Sequence, residues 1–446
     1  MTFVRRAVMG FCSAIMLVGL IPAVCRGQSA PLSTSIAAPA NPQQAYTLPP
    51  DKLAKAIAIS RIRNVLDIIG PLWGLAVLWL LLATRAFAGI EAWAGRVSHR
   101  RWLQGLIFFA VFFVVTTLAS MPIDLYGHHV SRAYGISVEG WISWLGDQAK
   151  SLGLAVLLGA PVLLLFNWIV RRWPRRYWLV AWLLVLPLIA LVTFLEPFAE
   201  PIFYKFEPLS RSHPALVAEL ETLVARTGTD IPPSRMFLMK ASEKSNGLNA
   251  YVDGIGATKR IVVWDTTAGR IPDDEVLFIF GHESGHYVLN HIPKGMALSA
   301  VALLLVFWAC AGFAAALTRR LGLSWGLEVQ GSSEAPLSSR TGFVVLIFAL
   351  SIAGFVLQPV ANTVSRHFEH EADVYGQEAI HTLVPDPQKT AVAAFNALGE
   401  AWLEDPNPSP FIEFWEYNHP SVKNRANFAA HYDPWTNGGH GEFFQK

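Results

Sequence analysis

The chain has 446 residues, of which 53% are hydrophobic and 15% charged, with a mean hydropathy of +0.37 and a formal net charge of +2. Soluble domains carry about 25% charged residues, so much of this surface faces lipid; the near-neutral balance, with no Lys/Arg run interleaved with aromatics, excludes nucleic acid as a partner. The three cysteines, Cys12, Cys25 and Cys310, form no Cys-x-x-Cys spacing, which excludes a thiolate metal site and a disulfide framework and leaves His and carboxylates as the metal-ligating types.

Residues 1–28 start with Arg5 and Arg6, run apolar from Val8 to Val24 and end in small and polar residues. This pattern predicts a signal peptide or a first transmembrane helix. Residues 29–64 are expected to form an extended or amphipathic segment, rich in Ala, Ser, Pro and Gln at its start. Six apolar runs follow, near 65–88, 102–124, 151–170, 178–200, 296–318 and 342–364. Each approaches the roughly 20 residues that a helix needs to cross a bilayer. They divide the chain into a four-helix membrane region (65–200), a catalytic domain (201–295), a membrane helix pair (296–364) and a C-terminal part (365–446).

The loop charges predict an orientation. Arg85, Arg96, Arg100 and Arg101 lie in the first loop, Arg171, Arg172, Arg175 and Arg176 in the third, and Arg319, Arg320 and Arg340 after the fifth run. The second loop instead offsets Arg132 and Lys150 with Asp124, Glu139 and Asp147. Basic loops stay in the cytoplasm. This places 201–295 and the C-terminal tail on the outer, periplasmic side of a bacterial inner membrane.

The segment from Pro272 to His286 predicts a helix. Pro272 suits the first turn, and Asp273, Asp274 and Glu275 follow where the helix dipole favours acids. His282 and His286 stand four residues apart, so both imidazoles share one face and can meet one metal ion. Glu283 is placed to take a proton from a water at that metal. Gly281 and Gly285 permit close approach of a neighbouring backbone. The helix is expected to run to about His291, because Pro293 cannot continue it. His291 then faces elsewhere, as a surface or interface histidine.

A catalytic zinc takes three protein ligands. The candidates for the third lie in Ser365–Asp373. Glu369 and Asp373 share a helix face, so Glu369 can ligate while Asp373 accepts the N–H of a ligating histidine. His367, His370 and Glu371 compete with Glu369, and His367 with Glu371 could equally form a surface pair.

Three segments together resemble the type I CAAX prenyl endopeptidases, a membrane-embedded zinc family. They are Ser245–Tyr251 with Arg260–Thr266, the metal helix with Asp274-Glu275 before it, and Ser365–Asp373. The resemblance covers roughly 200–430 and extends to the N-terminal half in helix pattern only. It implies an all-α membrane protein: a barrel of six to seven transmembrane helices around a chamber, with a zincin-like catalytic domain containing a small edge-strand sheet. The seventh span would be residues 7–24. The resemblance implies one Zn2+ held by His282, His286 and Glu369, with Glu283 as general base and Asp373 orienting a ligand. It marks Asn249 and Ala250 as an edge that pairs with substrate backbone. It assigns His419 to the developing oxyanion, with Arg425 close by.

The activity expected is peptide-bond hydrolysis in hydrophobic, membrane-associated or CAAX-like polypeptides, with the lipid bilayer as the other partner. A membrane transporter, or a non-catalytic binder of hydrophobic polypeptides, is the alternative. No repeated halves support transport, and binding alone would not need Glu283.

Overall fold

The computed structural model describes residues 45–254, 256–327, 336–436 and 438–444. The expected signal or first span at 1–28 and the proposed seventh span at 7–24 lie outside them. Six helices are long and apolar enough to cross a membrane: α1 (Pro50–Ala83), α3 (Arg101–Ala133), α4 (Trp141–Arg172), α5 (Tyr177–Ile202), α8 (His291–Leu321) and α9 (Arg340–Ile380). A shorter helix, α2 (Ala86–Val97), follows α1. Five of the six contain one of the apolar runs whole; the first run, 65–88, is broken by the turn at Thr84 and Arg85 and ends in α2. Helix α1 starts earlier than its run, so the expected extended or amphipathic segment at 29–64 is helical from Pro50 onward.

These helices keep apolar side chains on their outer faces. Leu118, Leu305 and Trp308 are each about 60% exposed, a state that lipid satisfies and water would not. Pro71, Pro122, Pro187 and Pro359 lie inside the spans. Membrane helices tolerate this because neighbouring groups re-satisfy the freed carbonyls. Packing rather than water exclusion holds such helices together. Aromatic rings take part in that packing: Phe87 meets Phe108 and Phe112 in tilted contacts, and Phe109 meets Phe108 and Phe343 edge to face.

Hydrogen bonds gather several helix ends at one end of the molecule. Buried Arg340, at the start of α9, donates to Glu91, to Gln104 and to the carbonyl of Arg101. Arg85, after α1, reaches the carbonyls of Leu323 and Ser324 beyond α8. Asn167, near the end of α4, reaches Ser338 and Ser339. The basic loops therefore share one end.

The other end carries the small sheet: β1 (Phe206–Pro208), β2 (Met236–Met239), β3 (Ala250–Asp253) and β4 (Arg260–Trp264), in the order β1-β2-β4-β3. Strand β4 (Arg-Ile-Val-Val-Trp) is buried throughout, as suits a β-branched run in a sheet centre. It pairs parallel with β2 and antiparallel with β3. The sheet is tied to the end of α5, where buried Glu200 accepts from Tyr251 and Arg260. Helix α6 (Pro214–Thr227) covers the metal helix α7 (Asp273–Val288), and α10 (Pro387–Trp402), α11 (Pro410–Glu416) and α12 (Val422–His431) complete this end.

Candidate metal and catalytic site

Helix α7 is buried on every side from Val276 to His286. Val276, Phe278 and Phe280 enter the core of this end, and each such burial contributes about 1.5–3 kcal/mol. Its partner is the last third of α9. A Cβ on Gly281 would stand 3.1 Å from the carbonyl oxygen of Gly376, and one on Gly285 would stand 3.2 Å from the Cα of Ala372. The missing side chains let the two backbones meet, as the glycines of the motif predict. This approach sets His282 and His286 opposite Glu369 and Asp373.

The Nε2 atoms of His282 and His286 are 3.3 Å apart. Glu369 places Oε2 at 3.2 Å from Nε2 of His282 and Oε1 at 3.5 Å from Nε2 of His286. One ligand atom from each residue lies within 4.8 Å of the others, and all three residues are buried. Glu369 Oε2 has no partner of good hydrogen-bond geometry among the described residues. Two imidazole nitrogens and a carboxylate crowded together in a buried site, with one carboxylate oxygen left unsatisfied, fit a shared cation.

Asp373 accepts from Nδ1 of His282 at 2.8 Å. Arg425 grips Asp373 through Nε, at 2.8 Å, and through Nη2, with its guanidinium lying over the Phe395 ring. Burial alone would lower the His282 pKa, but the hydrogen bonds and charges of Asp373 and Glu369 outweigh it and push it up to about 9. Burial, with the His282 charge beside it, holds His286 well below the ordinary histidine value. Burial raises the Glu283 carboxyl to about 8 against the opposing pull of His282. His419 is buried, with Nε2 at 3.2 Å from Glu369 Oε2 and Nδ1 at 2.9 Å from Asn418 Oδ1.

The rival ligands go elsewhere. His367 is exposed, and His370 packs edge-on against Phe428. Glu371 bonds His291 rather than reaching the metal position.

Two expectations about the end of α7 need correction. Helix α7 stops at Val288, not near His291. Asn290 adopts a left-handed conformation (φ 58°), and His291 opens α8 with Pro293 in its first turn, so Pro293 helps start a helix instead of ending one. His291 is consequently not a surface residue: the turn folds it back to 3.0 Å from His286, and it is fully buried. An Asn after the last apolar position, followed by a proline, was the available stop–start signal.

Strand β3 is an edge of the sheet. The Trp264 N–H donates to the Asn249 carbonyl, and the Asn249 N–H donates to Thr267. Asn249 therefore turns its peptide groups inward, away from any substrate, which corrects its pairing as part of an open edge. Alternation along the strand turns the peptide groups of Ala250 and Val252 to the outer edge. The Val252 N–H there bonds Glu283.

A helical membrane bundle with a buried His-Glu-x-x-His helix, a carboxylate from a second helix and an edge strand beside them defines a membrane-embedded metallopeptidase. Residues 210–433 match the model of peptidase family M48, and residues 34–205 match that of the CAAX prenyl protease N-terminal region, described as five membrane helices. The chain is 32% identical to the uncharacterized metalloprotease YhfN of Bacillus subtilis, over 85% of this chain and 86% of that one. It is 28% identical to CAAX prenyl protease 1 of Saccharomyces cerevisiae, over 72% and 71%. The crystal structure of S. mikatae Ste24p shares the fold, with a TM-score of 0.70 at 23% identity, covering 94% of this chain and 96% of that one. The chain belongs to peptidase family M48 and is a multi-pass membrane metalloendopeptidase.

Proposed function

We propose that this chain binds one zinc ion through His282, His286 and Glu369 and hydrolyses peptide bonds in hydrophobic, membrane-associated or CAAX-like polypeptides. The observation that carries this reading is the convergence of those three buried ligand atoms beside Glu283 and the β3 edge. Two imidazoles and one carboxylate leave a fourth position open, as a catalytic zinc requires. When bound, zinc would polarise the scissile carbonyl and acidify the attacking water.

The chain's own residues divide the remaining work. Glu283 takes the proton of the attacking water and returns it to the leaving amine. Its burial raises its affinity for that proton toward neutral pH. Arg425 holds Asp373, and Asp373 orients His282. The outward peptide groups of Ala250 hold the substrate strand by main-chain hydrogen bonds.

His419 stabilises the oxyanion as a donor from Nε2, which requires Nδ1 to accept if the ring is neutral. Turning the Asn418 amide by half a rotation would let its Nδ2 donate to Nδ1. It would also satisfy Nδ2, which is otherwise buried without a partner among the described residues.

Substrates of this class follow from the membrane setting and from the names of the CAAX prenyl protease relatives. The basic loop ends share one end of the molecule and the site lies at the other. Cytoplasmic basic loops would place the site on the periplasmic side of a bacterial inner membrane. Reporter fusions at residues 175 and 440 test this, and finding both on one side would refute it.

The test of the activity is cleavage of a fluorogenic hydrophobic peptide by detergent-purified protein. Glu283→Gln should keep stoichiometric zinc and lose turnover, whereas Glu369→Ala should lose zinc. Full zinc in Glu369→Ala would show that another residue supplies the third ligand.

A further inference from the structure

His291 and Glu371 stand outside the ligand set and outside the reacting groups, yet they continue directly from one of the ligands. His286 turns Nε2 toward His282 and Glu369, so Nδ1 is the nitrogen left over. That Nδ1 lies 3.0 Å from Nδ1 of His291. The other nitrogen of His291, Nε2, lies 2.9 Å from Oε2 of Glu371. The His291 ring is fully buried and stacks on Phe368, with centroids 4.6 Å apart and planes within 9°. The stack fixes the plane of the ring, and the contacts of Nδ1 with His286 and of Nε2 with Glu371 select one of its two half-turns.

The chain of bonds has one consistent direction. A carboxylate only accepts, so Glu371 requires the His291 proton on Nε2. The Nδ1 of His291 is then a lone pair and can only accept. His286 must place its own proton on Nδ1, which leaves Nε2 as the lone pair aimed at the metal position. We propose that Glu371, through His291, sets the tautomer and ring orientation of His286, making both residues positioning groups for the metal centre. This rests on the zinc reading above. Metal-ligating histidines usually donate their second N–H to a carboxylate, carbonyl or water; here a second imidazole is interposed.

The arrangement also links the three elements that form the site. His286 lies near the end of α7, His291 opens α8 and Glu371 belongs to α9. Asn290 makes the link available, because its left-handed conformation reverses the chain between the first two. The second oxygen of Glu371 lies 3.7 Å from Nε2 of exposed His367. That distance is beyond hydrogen-bond range, so the bonded chain ends at Glu371.

The experiment is zinc affinity by chelator competition on detergent-purified full-length chain, for wild type, Glu371→Ala, Glu371→Gln, His291→Phe and the double variant Glu371→Ala/His291→Phe. Melting temperatures of the chelated proteins are measured beside it. Glu371→Ala and His291→Phe should each lower zinc affinity roughly 10- to 100-fold while the chelated proteins melt as wild type does. His291→Phe keeps the stacked ring, and Glu371→Gln keeps a carbonyl that can accept from Nε2, so Glu371→Gln should recover most of the affinity. The double variant should be no weaker than the worse single one, since both break one chain.

Wild-type affinity in the single variants would overturn the proposal while leaving the zinc site intact. Additive losses, or losses matched by a drop in the melting temperature of the chelated protein and not rescued by Gln, would show a structural strut instead. A wild type that binds no zinc would overturn the metal reading and this inference together.

Discussion

Gly376 lies so close to His282 that a Cβ built on it would stand 2.8 Å from the His282 backbone nitrogen and 3.0 Å from its Cα. The contact is backbone against side chain, so no rotamer change relieves it. Gly376→Ala must push α9 from α7, and Glu369 and Asp373 move with α9. Overpacking of this kind costs about 1–3 kcal/mol. The expected outcome is a lower melting temperature and less than stoichiometric zinc, read by calorimetry and metal analysis. Unchanged zinc content would mean that α7 and α9 absorb the added methyl without separating the ligand set.

Arg425 holds Asp373 by two nitrogens, Nε and Nη2. Removing one partner of a buried ion pair strands the other, at a cost of about 3–5 kcal/mol. Arg425→Ala should therefore reduce stability and weaken zinc binding together, because Asp373 no longer holds His282. Arg425→Lys keeps the charge but not the planar two-point grip, so it should recover stability better than it recovers zinc affinity. Equal recovery of both would mean that charge alone matters.

The metal and a proton compete for His282. With its pKa raised to about 9 in the metal-free protein, the ring must lose a proton before it can ligate. Zinc affinity should then rise by about tenfold per pH unit, and the rise should continue from pH 7 toward pH 9. A histidine near the ordinary value of about 6.5 would level off below pH 7.5. Chelator competition at pH 6, 7, 8 and 9 separates the two, and a plateau above pH 7 would contradict the strong Asp373 and Glu369 coupling.

Ala250 directs its N–H away from β4. Ala250→Pro removes a donor that the sheet does not use, and proline is tolerated on an edge strand. The fold and zinc content should survive, while substrate loses one main-chain hydrogen bond worth about 1 kcal/mol. That corresponds to a fall in kcat/KM of roughly five- to tenfold. A protein with unaltered kinetics would place the substrate strand elsewhere.

The membrane architecture was legible because hydropathy is a local quantity: each of the six spans declares itself over roughly 20 residues. The His282/His286 pair was legible because a four-residue spacing on a helix fixes a shared face. So were Gly281 and Gly285 beside them, which permit close approach. The partner of that face was not local. More than eighty residues separate Glu283 from Glu369, and four candidate side chains lie within five positions of one another. Sequence spacing left Glu369, His367, His370 and Glu371 in competition, and the resemblance chose among them. In the folded chain, the packing of α7 on α9 turns Glu369 and Asp373 inward, sends His370 to Phe428 and leaves His367 in the open.

His291 shows the same division at shorter range. Its five-residue distance from His286 puts it on another face if the helix continues, and a left-handed Asn290 reverses that conclusion. A single backbone conformation decided whether it was a surface histidine or a buried neighbour of a ligand. Asn249 and Ala250 are adjacent in sequence and equal in motif, yet strand pairing turns one peptide inward and the other out. Local composition and periodicity determined which segments span the membrane and which helix carries the metal pair. Long-range packing and backbone direction alone decided which groups meet it, because those depend on contacts between residues far apart in the chain.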